Sequence, residues 1–254
     1  MSDIVTLDVN DGVAVITLNR PEVRNAANAA LAADVAAAVD EIDARADVRV
    51  TVLTGSGGTF CSGMDLKAFL DGERASLPGR GFAGFTDQPP KTPTIAAVEG
   101  AAVAGGCELV LACDMVVAAE NAKFGVPEVK RGLVAVGGAL LRLPQRIPYQ
   151  LAMELILTGD LMDAPTAHTA GLVNHLTAPG TALDAALRLA HKIAANGPLA
   201  LKASKEIMQR APRWSPDEAY DQQRAIAQTA FESQDAKEGA RAFAEKRQPV
   251  WQGV

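Results

Sequence analysis

Cysteine, aromatic residues and long uncharged stretches are all scarce in this chain of 254 residues. The three cysteines, Cys61, Cys107 and Cys113, are odd in number and show no CxxC spacing, and the histidines His168, His175 and His191 do not cluster with them. Such spacing offers neither a disulfide framework nor a zinc site. The expectation is reduced thiols, no bound metal and a cytoplasmic location. Aromatic residues make up 4% of the chain, so its core must be packed from Ala, Val, Leu and Ile. The most apolar stretch, Thr94 to Ala119, is interrupted by Glu99, Glu108 and Asp114. No uncharged run within it approaches the ~18–20 residues that span a bilayer. The start, Met1-Ser2-Asp3-Ile4, has neither the basic nor the apolar region of a signal peptide. A net charge of −6 argues against nucleic acid and anionic membranes as partners, while leaving room for a small anionic ligand. The Thr54–Gly58 loop lacks the Lys-Ser/Thr of a phosphate loop and no GxGxxG follows a strand, so nucleotide chemistry has no support.

What the chain does have is an ordinary globular balance, 48% hydrophobic and 21% charged. Alternation at Val5, Leu7 and Val9, then Asp11-Gly12, then Val13 to Leu18, predicts a hairpin. Leu31, Val35, Val39 and Ile42 recur at helical spacing after a loop ending near Asn28. Strands are expected at Arg49–Leu53, Thr94–Val98 and Asp114–Ala118, with a short helix from Gly105. Residues 68–93, rich in Gly and Pro, read as a mobile surface segment with one short helix. Beyond Pro144 the pattern turns helical, with Pro148, Pro165 and Pro198 as helix starts and a short strand at Leu172–Leu176. Ser215-Pro216-Asp217-Glu218 reads as a capping box with Pro at N1. The layout is an N-terminal α/β core over 1–195 followed by a helical part over 196–254.

Two acids stand out. Glu108, in Gly105-Gly106-Cys107-Glu108-Leu109-Val110-Leu111, lies in an apolar run where an ionised carboxylate is costly unless hydrogen-bonded or partly protonated. Glu128 follows in Phe124-Gly125-Val126-Pro127-Glu128. Two such carboxyls facing one pocket can divide acid and base roles. Gly63 precedes Met64 and Gly105 opens a helix, so the Met64 and Gly105 N–H groups are candidates for an oxyanion hole. Taken singly, each feature has a plainer reading: turn glycines, a buried Glu108 paired with an arginine, and a Glu128 favoured by a helix start. Asp114 reads as a structural acceptor. Together they point to proton transfer on a carbonyl substrate.

In family order, Leu18-Asn19-Arg20-Pro21, Phe60-Cys61-Ser62-Gly63-Met64-Asp65-Leu66, Ile95-Ala96-Ala97-Val98-Glu99-Gly100, Gly105-Gly106-Cys107-Glu108-Leu109, Phe124-Gly125-Val126-Pro127-Glu128, Leu157-Thr158-Gly159, Gly171-Leu172-Val173-Asn174 and Phe243-Ala244-Glu245-Lys246-Arg247 resemble the enoyl-CoA hydratase/isomerase family, the crotonase superfamily. The resemblance covers almost the whole chain. It implies an α/β fold, a crotonase-like spiral of ββα units with a C-terminal helical trimerisation region, assembled as a homotrimer or as a hexamer of two trimers. It implies an acyl-CoA thioester as substrate, with its carbonyl held by the N–H groups of Met64 and Gly105. It places the two hydratase glutamates at Glu108 and Glu128 and needs no metal or redox cofactor. Arg24, Asp65, Leu66, Lys67 and Lys246 fall where family members contact CoA, Lys246 across a subunit boundary.

Retention of both glutamates favours a hydratase-type lyase acting on the 2,3 double bond. The alternatives within the family are an enoyl-CoA delta-isomerase, which needs one proton shuttle and no water, and a specialised dehydratase of the carnitinyl-CoA type. A non-catalytic RNA-binding relative is the alternative outside enzymology. Two departures stand against the family pattern. Val136 takes a place where glycine is common beside the reacting water, and a β-branched side chain there is expected to narrow the site. Glu99 replaces a frequent asparagine, for which the sequence alone offers no reason.

Overall fold

The computed structural model describes residues 3–254. Two antiparallel strands, β1 (Val5–Asn10) and β2 (Val13–Leu18), form the expected hairpin. Asp11 and Gly12 both take positive φ at its tip. Helix α1 (Ala29–Ala44) follows. The Asn28 side chain caps it by accepting from Leu31 N–H at 3.0 Å, and Leu31, Val35, Val39 and Ile42 are all buried. Then come β3 (Val50–Gly55), the short α2 (Leu66–Leu70) and a small hairpin of β4 (Ser76–Leu77) and β5 (Gly81–Phe82).

The next two turns of the chain share one plan. Strand β6 (Thr94–Val98) joins the main sheet, β7 (Ala101–Val103) leaves it for a second sheet, and α3 (Gly105–Ala112) returns. Strands β8 (Met115–Ala119) and β9 (Lys123–Gly125) repeat this, followed by a 3₁₀ turn over Pro127–Arg131 and the helices α4 (Ala139–Arg146) and α5 (Tyr149–Thr158). The six-stranded sheet has the order β1-β2-β3-β6-β8-β11 and is parallel from β2 onward, where β11 is His175–Thr177. The second sheet has the order β10-β9-β7, where β10 is Met162–Asp163 and leads into α6 (Ala164–Thr169). This is a spiral of ββα turns.

One face of the main sheet is covered by α7 (Ala182–Ala194). Its Ala182, Ala186, Ala190 and Ala194 recur every fourth residue, and the last three pack on Val13, Val50, Val52, Ile95, Ala97 and Val117. Small side chains let the helix lie close to a sheet of β-branched residues. Glu99, unexplained by the sequence, has its task here: its carboxylate accepts from Gly180 N–H at 3.0 Å and Ala182 N–H at 2.9 Å, holding the start of α7.

Three helices complete the chain: α8 (Pro198–Arg210), α9 (Ala219–Phe231) and α10 (Gln234–Glu245). The ammonium of Lys205 hooks α8 to the core, donating to Pro90 O at 2.8 Å and Thr92 O at 2.7 Å and pairing with Asp114 at 2.8 Å. Asp114 also accepts from the Thr94 N–H and hydroxyl, so it is a structural acceptor, as its sequence position suggests. The C-terminal tail folds back, with Trp251 Nε1 donating to Ala195 O and buried Asp235 accepting from the N–H groups of Gln252 and Gly253.

Four expectations need correction. Residues 68–93 do not form a mobile surface segment: Phe82, Ala83, Phe85 and Thr86 are buried, so the Gly-rich turns carry aromatic rings into the core. The Ser215 capping box does not form. Glu218 precedes α9, and it is the Ser215 carbonyl, not its hydroxyl, that accepts from Glu218 and Ala219. Helix α4 begins before Pro144 and contains it. Gly138, at φ +110°, starts this helix with a backbone that β-carbons disfavour. The strand expected at Leu172–Leu176 is shorter and later, because Leu172 and Val173 are buried in the turn before it. No helix among the described residues is long and apolar enough to cross a membrane.

Candidate active site

The spiral brings equivalent points of three successive turns together. Cys61 pairs in parallel with Ala102 of β7, and β7 runs parallel to β9. The bridge at Cys61 and the C-terminal ends of β7 and β9 therefore lie side by side, and each leads into one piece of the site: Ser62-Gly63-Met64, Ala104-Gly105, and Val126-Pro127-Glu128. Such strand ends are where ligands of α/β folds bind. A cavity of about 350 Å³ opens there. Met64, Gly105, Glu108 and Glu128 all line it, with Leu66, Phe69, Phe82, Leu133, Val134 and Arg131 among the walls.

Met64 is held on both sides. Ala27 N–H donates to Gly63 O at 2.8 Å, and Asp65 N–H donates to Ala27 O at 2.8 Å. The Met64 N–H between them has no protein acceptor among the described residues, and neither has that of Gly105. Gly63, at φ +94°, lies directly against the other donor. A Cβ there would stand 2.7 Å from Ala104 Cβ and 3.1 Å from Gly105 N. Ala104 is itself strained at φ +53° and ψ −127°, and its N–H bond to Gly125 O at 2.8 Å keeps it so. That conformation costs about 1–3 kcal/mol and turns the chain sharply enough to aim Gly105 N–H outward at the start of α3. The ring of Phe82 covers the Gly105 Cα, leaving no room for a side chain.

Glu108 is 4% exposed. Its Oε1 accepts from Ala139 N–H at 3.1 Å, and its Oε2 lies against Gly137, where a Cβ would come within 2.8 Å of the carboxyl carbon. Burial raises its pKa to about 7. The Ala139 N–H opposes that rise, the charge of Glu128 adds to it, and Arg142 opposes it. Burial also raises the pKa of Glu128, with its own backbone N–H and Arg131 acting against the rise. Glu128 Oε2 is buried with no hydrogen-bond partner among the described residues, an orphaned acceptor in a cavity wall. The three cysteines are buried free thiols, and burial pushes each up to about 12.

The remaining site expectations fare differently. Leu66 lines the cavity. The carboxylate of Asp65 is committed within the protein, capping α2 through Lys67 and Ala68 N–H and pairing with Arg20 at 3.1 Å. Arg24 and Lys67 are exposed near the cavity without lining it, and Lys246 sits at the far end of α10. Val136 lines the same cavity from an exposed position, 85% exposed, at its rim. Sequence reading missed Arg131, Phe82, Ala139 and Arg142. The visible signal was Gly137-Gly138 followed four residues later by an arginine, which marks a helix start with a cation over it.

A family model described as enoyl-CoA hydratase/isomerase matches residues 8–254. Enoyl-CoA hydratase EchA19 of Mycobacterium tuberculosis is 43% identical over 94% of this chain and 92% of its own length. Carnitinyl-CoA dehydratase of Salmonella enteritidis is 39% identical over the full length of both chains. A crystal structure of an enoyl-CoA hydratase from Mycobacterium tuberculosis H37Rv superposes with a TM-score of 0.97 at 56% identity over the whole of both chains. Family model, relatives and backbone agree: this chain belongs to the enoyl-CoA hydratase/isomerase family, with the crotonase fold.

Proposed function

We propose that the protein is an enoyl-CoA hydratase-type lyase, adding water to the 2,3 double bond of an acyl-CoA thioester or removing it. The observation that carries this is one cavity with two buried-side glutamates and two unengaged backbone N–H groups. A thioester oxygen between Met64 N–H and Gly105 N–H would be stabilised as it becomes enolate-like. Glu108 takes a proton from water as its oxygen bonds to C3, and Glu128 delivers the proton to C2. Burial raises both carboxyls, Glu108 to about 7, and the reactive arrangement for hydration has the proton on Glu128. The chemistry needs no metal or redox cofactor, because the thioester already makes C3 electrophilic.

CoA is expected to run past Leu66 towards Arg24 and Lys67, with the main chain at Asp65 rather than its carboxylate as a contact. We place the protein in the cytoplasm, where free thiols stay reduced. The apolar walls of Leu66, Phe69, Phe82, Leu133 and Val134 suit an apolar 2-enoyl group.

Incubating a trans-2-enoyl-CoA and the matching trans-3-enoyl-CoA in H₂¹⁸O tests the reading. The expected product is a 3-hydroxyacyl-CoA carrying ¹⁸O. Unlabelled interconversion of the two enoyl forms across short, medium and branched chains would make the protein an isomerase instead.

Assembly follows the same reading. Met208, Tyr220, Phe231 and Phe243 on α8–α10 are large, apolar and exposed on the single chain. We expect them to be covered in a trimer or a hexamer, with 196–254 as the assembling region and Lys246 reaching a neighbour's CoA. Light scattering at micromolar concentration should give three or six times 26.4 kDa; a monomer would refute it.

A further inference from the structure

We propose that Arg142 is a positioning residue for Glu108, clamping the Gly137–Ala139 turn that holds the carboxylate to the cavity wall at Thr86. Its guanidinium donates to Thr86 O at 2.6 Å and to Gly137 O at 3.4 Å. Its Nη1 end abuts Gly138, where a Cβ would come 3.1 Å from the guanidinium carbon. The clamped turn supplies the Ala139 N–H to Glu108 Oε1 and the bare Gly137 Cα beside Oε2. The other anchor, Thr86, accepts from Phe82 N–H through its hydroxyl at 2.9 Å, and the ring of Phe82 covers Gly105. One side chain therefore braces both the base and the wall behind an oxyanion donor. The inference rests on the hydratase reading for its consequence in rate, but the clamp itself is a matter of geometry.

Arg142 is half-buried and forms no ion pair within 4 Å among the described residues. A partly buried guanidinium usually has a carboxylate against it. Here the charges that face it are Asp87 and Glu108, with Arg146 and Arg213 opposing. Glu108 in turn faces Arg142 and Glu128, and Glu128 faces Arg131. Removing the Arg142 cation leaves burial and Glu128 holding the proton on, opposed only by the backbone N–H groups of Ala139 and Gly137. The sign is then determined: without the cation, Glu108 ionises at higher pH and less of it is base at neutrality.

Arg142→Met and Arg142→Lys separate positioning from bulk packing. Arg142→Met is expected to lower kcat at pH 7 by about 10–10²-fold with KM changed less than threefold, and to move the acid limb of kcat/KM to higher pH. Arg142→Lys, which keeps the charge but loses the fork, should keep the limb near its wild-type place and recover part of kcat. An unmoved acid limb in Arg142→Met, or a full wild-type kcat in Arg142→Lys, where the charge stays and the fork is lost, would overturn the proposal. The side-chain carboxyl of Glu108, followed by ¹³C NMR titration and assigned with Glu108→Gln, gives the same answer without any substrate. An upward shift in Arg142→Met shows that the Arg142 charge reaches Glu108 even if no acyl-CoA is turned over, and no shift rejects the proposal even if hydration is fast.

Discussion

Glu108→Gln and Glu128→Gln are each expected to lower kcat for hydration by about 10²–10⁴-fold, the range lost with a general acid or base. Gln keeps the size of the side chain and its acceptor oxygen, so Glu108→Gln can still take the Ala139 N–H and the fold should survive. What disappears is the exchangeable proton. The pH profile carries the sharper information. Wild-type kcat/KM should be bell-shaped, falling at low pH when both carboxyls are protonated and at high pH when both are ionised. Burial and the neighbouring Glu128 charge hold the Glu108 carboxyl at about 7, so the limb it sets lies near neutrality rather than near pH 4–5. In Glu128→Gln the like charge is gone. The surviving Glu108 limb should then move to lower pH, since one of the causes of its elevation has been removed. A single mutant that hydrates the best substrate at a near wild-type rate would remove that residue from the mechanism.

Gly63→Ala is expected to lower kcat about 10²-fold or more, the effect of losing an oxyanion donor, although residue 63 supplies neither donor itself. The new methyl would press on Ala104 Cβ and Gly105 N on one side while straining the chain that leads into Met64 on the other. Gly63 has φ +94°, so Ala also pays a conformational penalty of roughly 1 kcal/mol or more there. Both N–H groups would shift by a few tenths of an ångström, and hydrogen bonds to a developing oxyanion weaken at that scale. Substrate affinity depends on the whole CoA and should change less. Steady-state kinetics, with thermal unfolding as the control for folding, decides it. A Gly63→Ala protein with unchanged kcat would show that these two N–H groups are not where negative charge develops.

The gap between sequence and structure is instructive at particular residues. The hairpin, α1 and the Pro-opened helices were legible because local rules govern them: alternation, 3.6-residue spacing, a cap at Asn28. Residues 68–93 were misread because their order comes from Phe82 and Phe85 packing into a distant core. Glycine-rich local chemistry cannot announce such packing. Helix α4 was missed because Pro144 looks like a barrier, while Gly138 and the Glu108–Ala139 contact start the helix earlier. Val136 was expected to crowd the site from its position in a motif. It lines the cavity from an exposed position, and how deep in a site a residue stands is not something a motif encodes.

By itself the sequence determined the family, the two acids and the glycines that leave room for close backbone approach, because these are properties of residue type at a fixed spacing. Only the tertiary structure decided that Cys61, β7 and β9 run parallel, so that three turns of the chain end at one cavity. It also decided that Glu99 caps α7, that the Asp65 carboxylate is spent on Arg20 and on α2, and that Arg142 braces Glu108. The proton affinity of Glu108 belongs to this second group. It depends on dehydration and on charges far along the chain, acting through space, and no local pattern of residues carries that information.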